Sequence, residues 1–225
     1  MNPQIVFFDC DGVLVFGNPW VKLHREMNIS YELDKKWFDE YYFGKISFDE
    51  WNEKIESHYR KERLTKETFE DLLNIKNFVL NDEAWNLINL LKKKNIPTAI
   101  ISNGIDFYVE KVAQHFGIDF CVANASFVFD EKGLFQRIKV IGKDQLIKVR
   151  AIDRICKETK TDPKNSIYIG DSLNDIEAFR HTGRGVLYES VNGENIRDGW
   201  TALDREVIKA AWKRVNNLND VIELI

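Results

Sequence analysis

Short apolar runs that stop abruptly at polar residues mark out the chain. Ile5-Val6-Phe7-Phe8 runs into Asp9, Thr98-Ala99-Ile100-Ile101 into Ser102-Asn103-Gly104, and Ile167-Tyr168-Ile169 into Gly170-Asp171. Runs that are apolar at every position, rather than at alternate ones, predict strands buried on both faces, the habit of parallel sheets. Phe127-Val128-Phe129, then Asp130-Glu131-Lys132-Gly133, then Leu134-Phe135 predicts a hairpin. A helix is predicted before the second strand, with Ala84, Trp85, Leu87, Ile88 and Leu91 as its apolar stripe. Asn81 or Asp82 can cap its start, Lys92-Lys93-Lys94 suit the negative end of its dipole, and Pro97 forbids its continuation. Strand and helix in alternation predict βαβ units, hence an α/β fold: a Rossmann-like, doubly wound parallel sheet.

Residues 15–79 break this rhythm. They lack a buried strand run and carry helical spacing instead. Ser47-Phe48-Asp49-Glu50 is a capping box that opens a helix bearing Trp51, Ile55 and Tyr59, and Thr65 is placed to cap another bearing Phe69, Leu72 and Leu73. The expected organisation is therefore a core of residues 1–14 and 80–225, with a small helical insert of residues 15–79 after the first strand. Eleven aromatics fall between Phe16 and Tyr59. A small insert needs bulky residues to build any core, and some of these rings can also line a pocket facing the sheet.

Composition narrows the function. The 225 residues are 44% hydrophobic and 12% aromatic, enough apolar surface to offset chain entropy, which excludes disorder. A net charge of −4 argues against a nucleic-acid partner, which calls for a basic excess. Apolar runs such as Ile5–Phe8 fall far short of the about 20 residues a membrane helix needs. No cationic stretch leads into an apolar segment at the N-terminus, so a cytoplasmic location is expected. Cys10, Cys121 and Cys156 are too few and too scattered for a disulfide framework or a zinc knuckle. A cysteine phosphatase needs an Arg six residues after its nucleophile, where this chain has Phe16, Phe127 and Asp162. His24, His58, His115 and His181 lack metal-ligand spacing and read as surface or boundary residues. Cys10 reads as buried packing, turned away from its neighbours by strand alternation.

In an open parallel sheet, ligands bind beyond the carboxyl ends of the strands. Three predicted strands end there in Asp9 and Asp11, Ser102 and Asn103, and Asp171 and Asp175. Four carboxylates gathered at one edge would repel one another unless a cation sat among them. Oxygen donors select a hard ion, and Mg²⁺ held by a few carboxylates together with substrate phosphate is the usual arrangement.

These segments together resemble the haloacid dehalogenase superfamily, in its phosphoserine-phosphatase-like branch. Asp9-Cys10-Asp11-Gly12-Val13-Leu14 after a buried strand is similar to the first motif, DxDGxL. Ile100-Ile101-Ser102-Asn103-Gly104 is similar to the second, and Gly170-Asp171-Ser172-Leu173-Asn174-Asp175 to the fourth, GDxxND. Lys148, on a predicted helix 23 residues before Asp171, occupies the usual place of the third-motif lysine, with Lys143 and Lys139 as neighbouring alternatives.

The resemblance implies roles. Asp9 would be the nucleophile, forming an aspartyl-phosphate, and Asp11 the general acid and then the base. Ser102, Asn103 and Gly104 would hold phosphoryl oxygens, and Lys148 would neutralise charge on nucleophile and phosphoryl group. Mg²⁺ would be bound by Asp9, Asp11 through its carbonyl, and Asp171, with Asp175 in support. The acid at position 11 implies a phosphatase or phosphomutase rather than a dehalogenase, and the insert would be the helical cap that closes over small substrates. The implied partner is a small phosphate ester, with the protein a monomer or homodimer. The leading expectation is a Mg²⁺-dependent phosphomonoesterase; a phosphomutase of the same superfamily and a non-catalytic binding protein on the same fold are the rivals. Gly44-Lys45-Ile46-Ser47-Phe48 is similar to the family's cap sequence. In that register, the Glu and Arg that phosphoserine phosphatases turn to the amino acid fall near Asn18 and Ile55. Phosphoserine is therefore expected to be a poor substrate.

Overall fold

The structure, a computed structural model, describes residues 2–143, 146–189 and 201–225. The chain opens with β1 (Ile5–Phe8) and β2 (Val15–Phe16), then four helices: α1 (Pro19–Glu26), α2 (Tyr31–Tyr42), α3 (Phe48–Lys61) and α4 (Lys66–Leu72). Next come β3 (Val79–Leu80), α5 (Asp82–Lys93), β4 (Thr98–Ile105), α6 (Asp106–Phe116), β5 (Phe120–Phe129) and β6 (Phe135–Val140). The remainder is α7 (Ile147–Thr159), β7 (Ser166–Gly170), α8 (Ile176–Thr182), β8 (Gly185–Tyr188), α9 (Thr201–Ala210) and β9 (Lys213–Val215).

Seven strands form one sheet in the order β6-β5-β4-β1-β7-β8-β9, parallel throughout except for the β5–β6 hairpin. β1 lies in the middle, between β4 and β7, so its side chains are buried on both faces. Val6 and Phe8 join the layer built by α5 and α6, with Leu87, Ile88, Leu91, Val109, Val112 and Phe116. Ile5 and Phe7 join the opposite layer with Ile152, Ile155, Phe179 and Val207. That division is why the run could not alternate apolar with polar. The α/β, mainly parallel architecture is the one expected.

Local signals hold at several helix starts. The Asn81 side chain accepts from the Glu83 N–H at 3.0 Å and so starts α5. Ser47 and Glu50 form the reciprocal capping box of α3, and Thr65 caps α4 through the Thr68 N–H. The second strand differs from its expected end. The apolar run stops at Ser102-Asn103-Gly104, but β4 continues to Ile105, with an irregularity in its pairing to β5 between Ser102 and Ile105. A bulge of this kind re-aims side chains without ending the strand. Two short strands, β8 and β9, had no expectation attached to them.

The four-helix insert leaves and rejoins the sheet through a small antiparallel ribbon in which Val15 pairs with Leu80 and Phe16 with Val79. It leans on the β5–β6 hairpin. The Phe135 N–H donates to the Leu64 carbonyl at 2.9 Å, and the Ile138 N–H to Glu56 Oε1 at 2.7 Å. Rings close the seam: Phe127 packs against Trp20, Tyr59 and Phe69 with centroids 4.7–6.0 Å apart. Four further aromatics of the insert, Phe38, Tyr41, Phe48 and Trp51, form a half-buried cluster between α2 and α3, with Tyr41 stacked on Trp51 at 5.0 Å.

Candidate active site

Three neighbouring strands, β4, β1 and β7, bring their carboxyl ends to one point of the sheet edge. Asp9 follows β1 directly, and Asp11 lies two residues on. Ser102, Asn103 and Gly104 lie in the last half of β4. Asp171 follows β7, and Asp175 ends the short 3-10 turn after it. Lys148 enters from the first turn of α7.

Asp9 is held at three points. Its N–H donates to the Ile169 carbonyl at 2.8 Å, its Oδ1 accepts from the Cys10 N–H at 2.7 Å, and its Oδ2 faces Lys148 Nζ at 2.7 Å. Lys148 is only 1% exposed, yet its ammonium reaches three acceptors: Asp9 Oδ2, Asn174 Oδ1 at 2.7 Å and Asp175 Oδ1 at 2.6 Å. An ammonium has three protons, so the arrangement uses all of them. Burial alone would favour the neutral amine, but the charges of Asp175 and Asp9 outweigh it and hold the proton more tightly than usual.

Asp175 is buried and fully engaged. Its Oδ1 also accepts from the Tyr168 hydroxyl at 2.9 Å, and its Oδ2 accepts from the N–H groups of Asp171 and Ser172, both at 3.0 Å. It shapes the loop that presents Asp171. Two glycines permit the close approach. A Cβ on Gly170 would collide with the Asp175 carboxyl, and one on Gly12, whose φ is +78°, would collide with Asp171 Oδ2.

The electrostatics are those of crowded, desolvated carboxylates. Burial pushes Asp9 up to about 6, with Lys148 pulling down and Asp175 pushing up. Asp11 is raised well above the carboxylate range by burial first and then by the charges of Asp9 and Asp171. Asp9, Asp171 and Asp175 each offer an oxygen within 4.8 Å of the others, a buried carboxylate cluster of the kind that holds a hard cation. Ser102 Oγ accepts from the Gly104 N–H at 2.9 Å, so its own proton points elsewhere. Asn103 Oδ1 and Asp11 Oδ1 are buried without a hydrogen-bond partner among the described residues.

All eight residues singled out in the sequence thus meet at one edge. Of the alternative lysines, Lys143 pairs with Asp49 on α3 and Lys139 is exposed on β6. Tyr168 and Asn174 lie in the strand and motif read from the sequence, but neither had a role assigned to it there. A tyrosine inside a buried strand was the available signal, because its hydroxyl must find a partner. His24, expected at the surface or a boundary, is buried. It is 5% exposed, with Nδ1 3.3 Å from Asp34 Oδ2 and its ring against Trp20 and Tyr59.

The family model described as haloacid dehalogenase-like hydrolase matches residues 3–183, from the first strand through the loop of Asp171 and Asp175. The chain belongs to this family of hydrolases. It is 26% identical over 185 residues to a phosphoserine phosphatase of Methanocaldococcus jannaschii, a match covering 82% of this chain and 85% of that one. A phosphoserine phosphatase of Archaeoglobus fulgidus is 24% identical over 188 residues, 83% of this chain and 53% of its own length. Among solved structures, a phospho-aspartyl intermediate analogue of phosphoserine phosphatase superposes with a TM-score of 0.76, at 20% identity and full coverage of both chains. Family and relatives agree on a phosphoric monoester hydrolase.

Proposed function

We propose that the protein is a Mg²⁺-dependent phosphomonoesterase that hydrolyses a small phosphorylated metabolite through a phosphoryl group carried on Asp9. The observation behind this reading is the paired environment of two aspartates two residues apart. Asp9 has its carboxylate fixed by the Cys10 N–H and Lys148, whereas Asp11 lies in surroundings that favour its protonated form.

The chemistry then follows from the residues. An Asp9 oxygen attacks phosphorus, forming the acyl-phosphate bond as the ester P–O bond breaks, and Asp11 gives its proton to the departing alkoxide. Asp11, now a carboxylate, takes a proton from the water that attacks the acyl phosphate, and Asp9 is released with inorganic phosphate. Lys148 offsets charge on Asp9 and the transferring group, and the Ser102 hydroxyl donates to a phosphoryl oxygen. Mg²⁺ suits the all-oxygen donors of Asp9, Asp171 and the Asp11 carbonyl, where it supplies neutralisation of phosphoryl charge. Asp175, with both oxygens already bonded, supports this set from behind. The insert, residues 15–79, acts as a lid that excludes water and reads the leaving group.

On substrate, the reading departs from the names of the relatives. Asn18 spends its side-chain oxygen on capping α1 through the Trp20 N–H at 2.9 Å, and Ile55 is buried in the insert. Neither supplies charge for a zwitterion, so a less zwitterionic phosphomonoester with an apolar body is favoured. The test of the activity is phosphate release from a panel of phosphate esters with Mg²⁺ and with EDTA, for the wild type and Asp9→Asn. Turnover that needs Mg²⁺ and vanishes in an Asp9→Asn protein that still melts cooperatively supports the reading. Turnover by Asp9→Asn within tenfold of wild type sinks it.

A further inference from the structure

We propose that Tyr108 is a positioning residue for Asp11, holding its carboxyl for proton transfer to the leaving group; this rests on the acid–base role given to Asp11 above. Tyr108 sits on the first turn of α6 and is fully buried. Its hydroxyl faces the Asp11 carboxyl, with Cys10 beside it. Neither the hydroxyl nor Asp11 Oδ1 makes a hydrogen bond of full geometry among the described residues, and both atoms are shut off from water. Buried polar atoms are costly when left unmet, so a phenol and a carboxyl brought together at a reaction centre are natural partners.

The surroundings leave little freedom to either group. The Tyr108 ring packs against Phe78, near the end of the insert, with centroids 4.5 Å apart. A Cβ placed on Gly104 would lie 3.4 Å from both Asp11 Oδ2 and Val109 Cγ2, so the carboxyl is lodged against the start of α6. The phenol O–H is a single donor. Given to one carboxyl oxygen, it leaves the other to carry the proton that moves to the alkoxide. The same donor then stabilises the Asp11 carboxylate until it takes a proton from water. The tyrosine proton itself never transfers, and burial together with the Asp11 charge keeps it on oxygen.

The experiment compares wild type, Tyr108→Phe and Asp11→Asn by kcat/KM on p-nitrophenyl phosphate, whose phenolate leaves without help, and on glycerol 2-phosphate, whose alkoxide needs a proton. Tyr108→Phe should still melt cooperatively, at a Tm lower by a few degrees at most, whereas the alkyl-to-aryl ratio should fall about tenfold, part of what general acid catalysis supplies. A merely structural tyrosine would lower both substrates together. An unchanged ratio in Tyr108→Phe, where Asp11→Asn shifts it, overturns the Tyr108 role alone. An unchanged ratio in Asp11→Asn overturns the acid assignment and the Tyr108 role with it. Should Tyr108→Phe not fold, Phe78→Leu decides: it keeps the hydroxyl but frees the ring, and should shift the ratio in the same direction by a smaller factor. No shift there overturns the proposal.

Discussion

Lys148 Nζ stands 2.7 Å from Asp9 Oδ2, across 139 residues of chain, and the same ammonium closes on Asp175 at 2.6 Å. One buried cation therefore ties the first residue after β1 to the loop after β7. Lys148→Met removes it and leaves two carboxylates uncompensated in the interior. Breaking a buried pair from one side costs about 3–5 kcal/mol. The variant should unfold at lower denaturant and lose at least about 100-fold in phosphate release, the scale of a lost charge stabiliser. Lys148→Arg should recover little, because a planar fork cannot meet three convergent acceptors as an ammonium does. Denaturant titration and a phosphate assay on both variants check this. A Lys148→Met protein with wild-type turnover would contradict it.

Metal and proton should compete at Asp9. Burial raises its carboxyl from 3.8 to about 6 in the protein without metal. The folded state then holds its proton over a range where the unfolded chain has released it. This contribution to stability is present below about pH 4 and is lost as pH rises through about 6. Mg²⁺ replaces the proton as the compensating charge, and its benefit should grow over the same range. Thermal melts with and without Mg²⁺ should show a larger rise in Tm at pH 7.5 than at pH 5. A rise independent of pH would count against Asp9 as a ligand.

Gly12 is the backbone position most exposed to a single methyl group. Its φ of +78° is a region that L side chains avoid at about 1–2 kcal/mol, and its missing Cβ leaves room for Asp171 Oδ2. Gly12→Ala should displace Asp171 and weaken Mg²⁺ activation, raising the Mg²⁺ concentration for half-maximal activity about tenfold or more, since ligand geometry around Mg²⁺ tolerates little error. Gly44→Ala, also at positive φ but with open space around it, is the control for backbone strain alone. Equal effects of the two substitutions on Mg²⁺ dependence would remove the argument from contact.

Asp9, Asp11 and Asp171 were legible because a residue that ends a wholly apolar run must sit at the sheet edge, and there are few such ends in the chain. The starts of α3 and α4 were legible because capping by Ser47 and Thr65 is local chemistry. What escaped depends on contacts between distant residues. The continuation of β4 past Ser102 is set by its pairing with β5, where Ile105 meets Ala125, and no local pattern near Gly104 announces it. The docking of Phe127 and Phe135 on the insert has no local signature either, since their partners Tyr59 and Phe69 lie 58 to 76 residues earlier. The aromatics between Phe16 and Tyr59 read as core or pocket lining, yet α2 contains no buried residue, and Phe43 just beyond it is 70% exposed. An insert of this size has too little interior to cover all its rings.

A zwitterionic leaving group needs an anion for its ammonium and a cation for its carboxylate, and burying either charge unpaired costs several kcal/mol. The two positions that the cap register assigns to this task carry an amide, already engaged in capping α1, and a buried isoleucine. His24 and Arg25, in the last turn of α1, are positioned in the insert where a replacement for the missing cation could come from. The His24 ring lies buried between Trp20 and Tyr59 and turns its Nδ1 toward Asp34, while Arg25 is exposed on α1. Neither arrangement provides a cation poised for a carboxylate. Measured as kcat/KM against sugar, glycerol and aryl phosphates, phosphoserine should fall in the lower half of the series. A tenfold lead for phosphoserine would show that the insert supplies its charges from other residues, and that the relatives' activity carries over despite these two replacements.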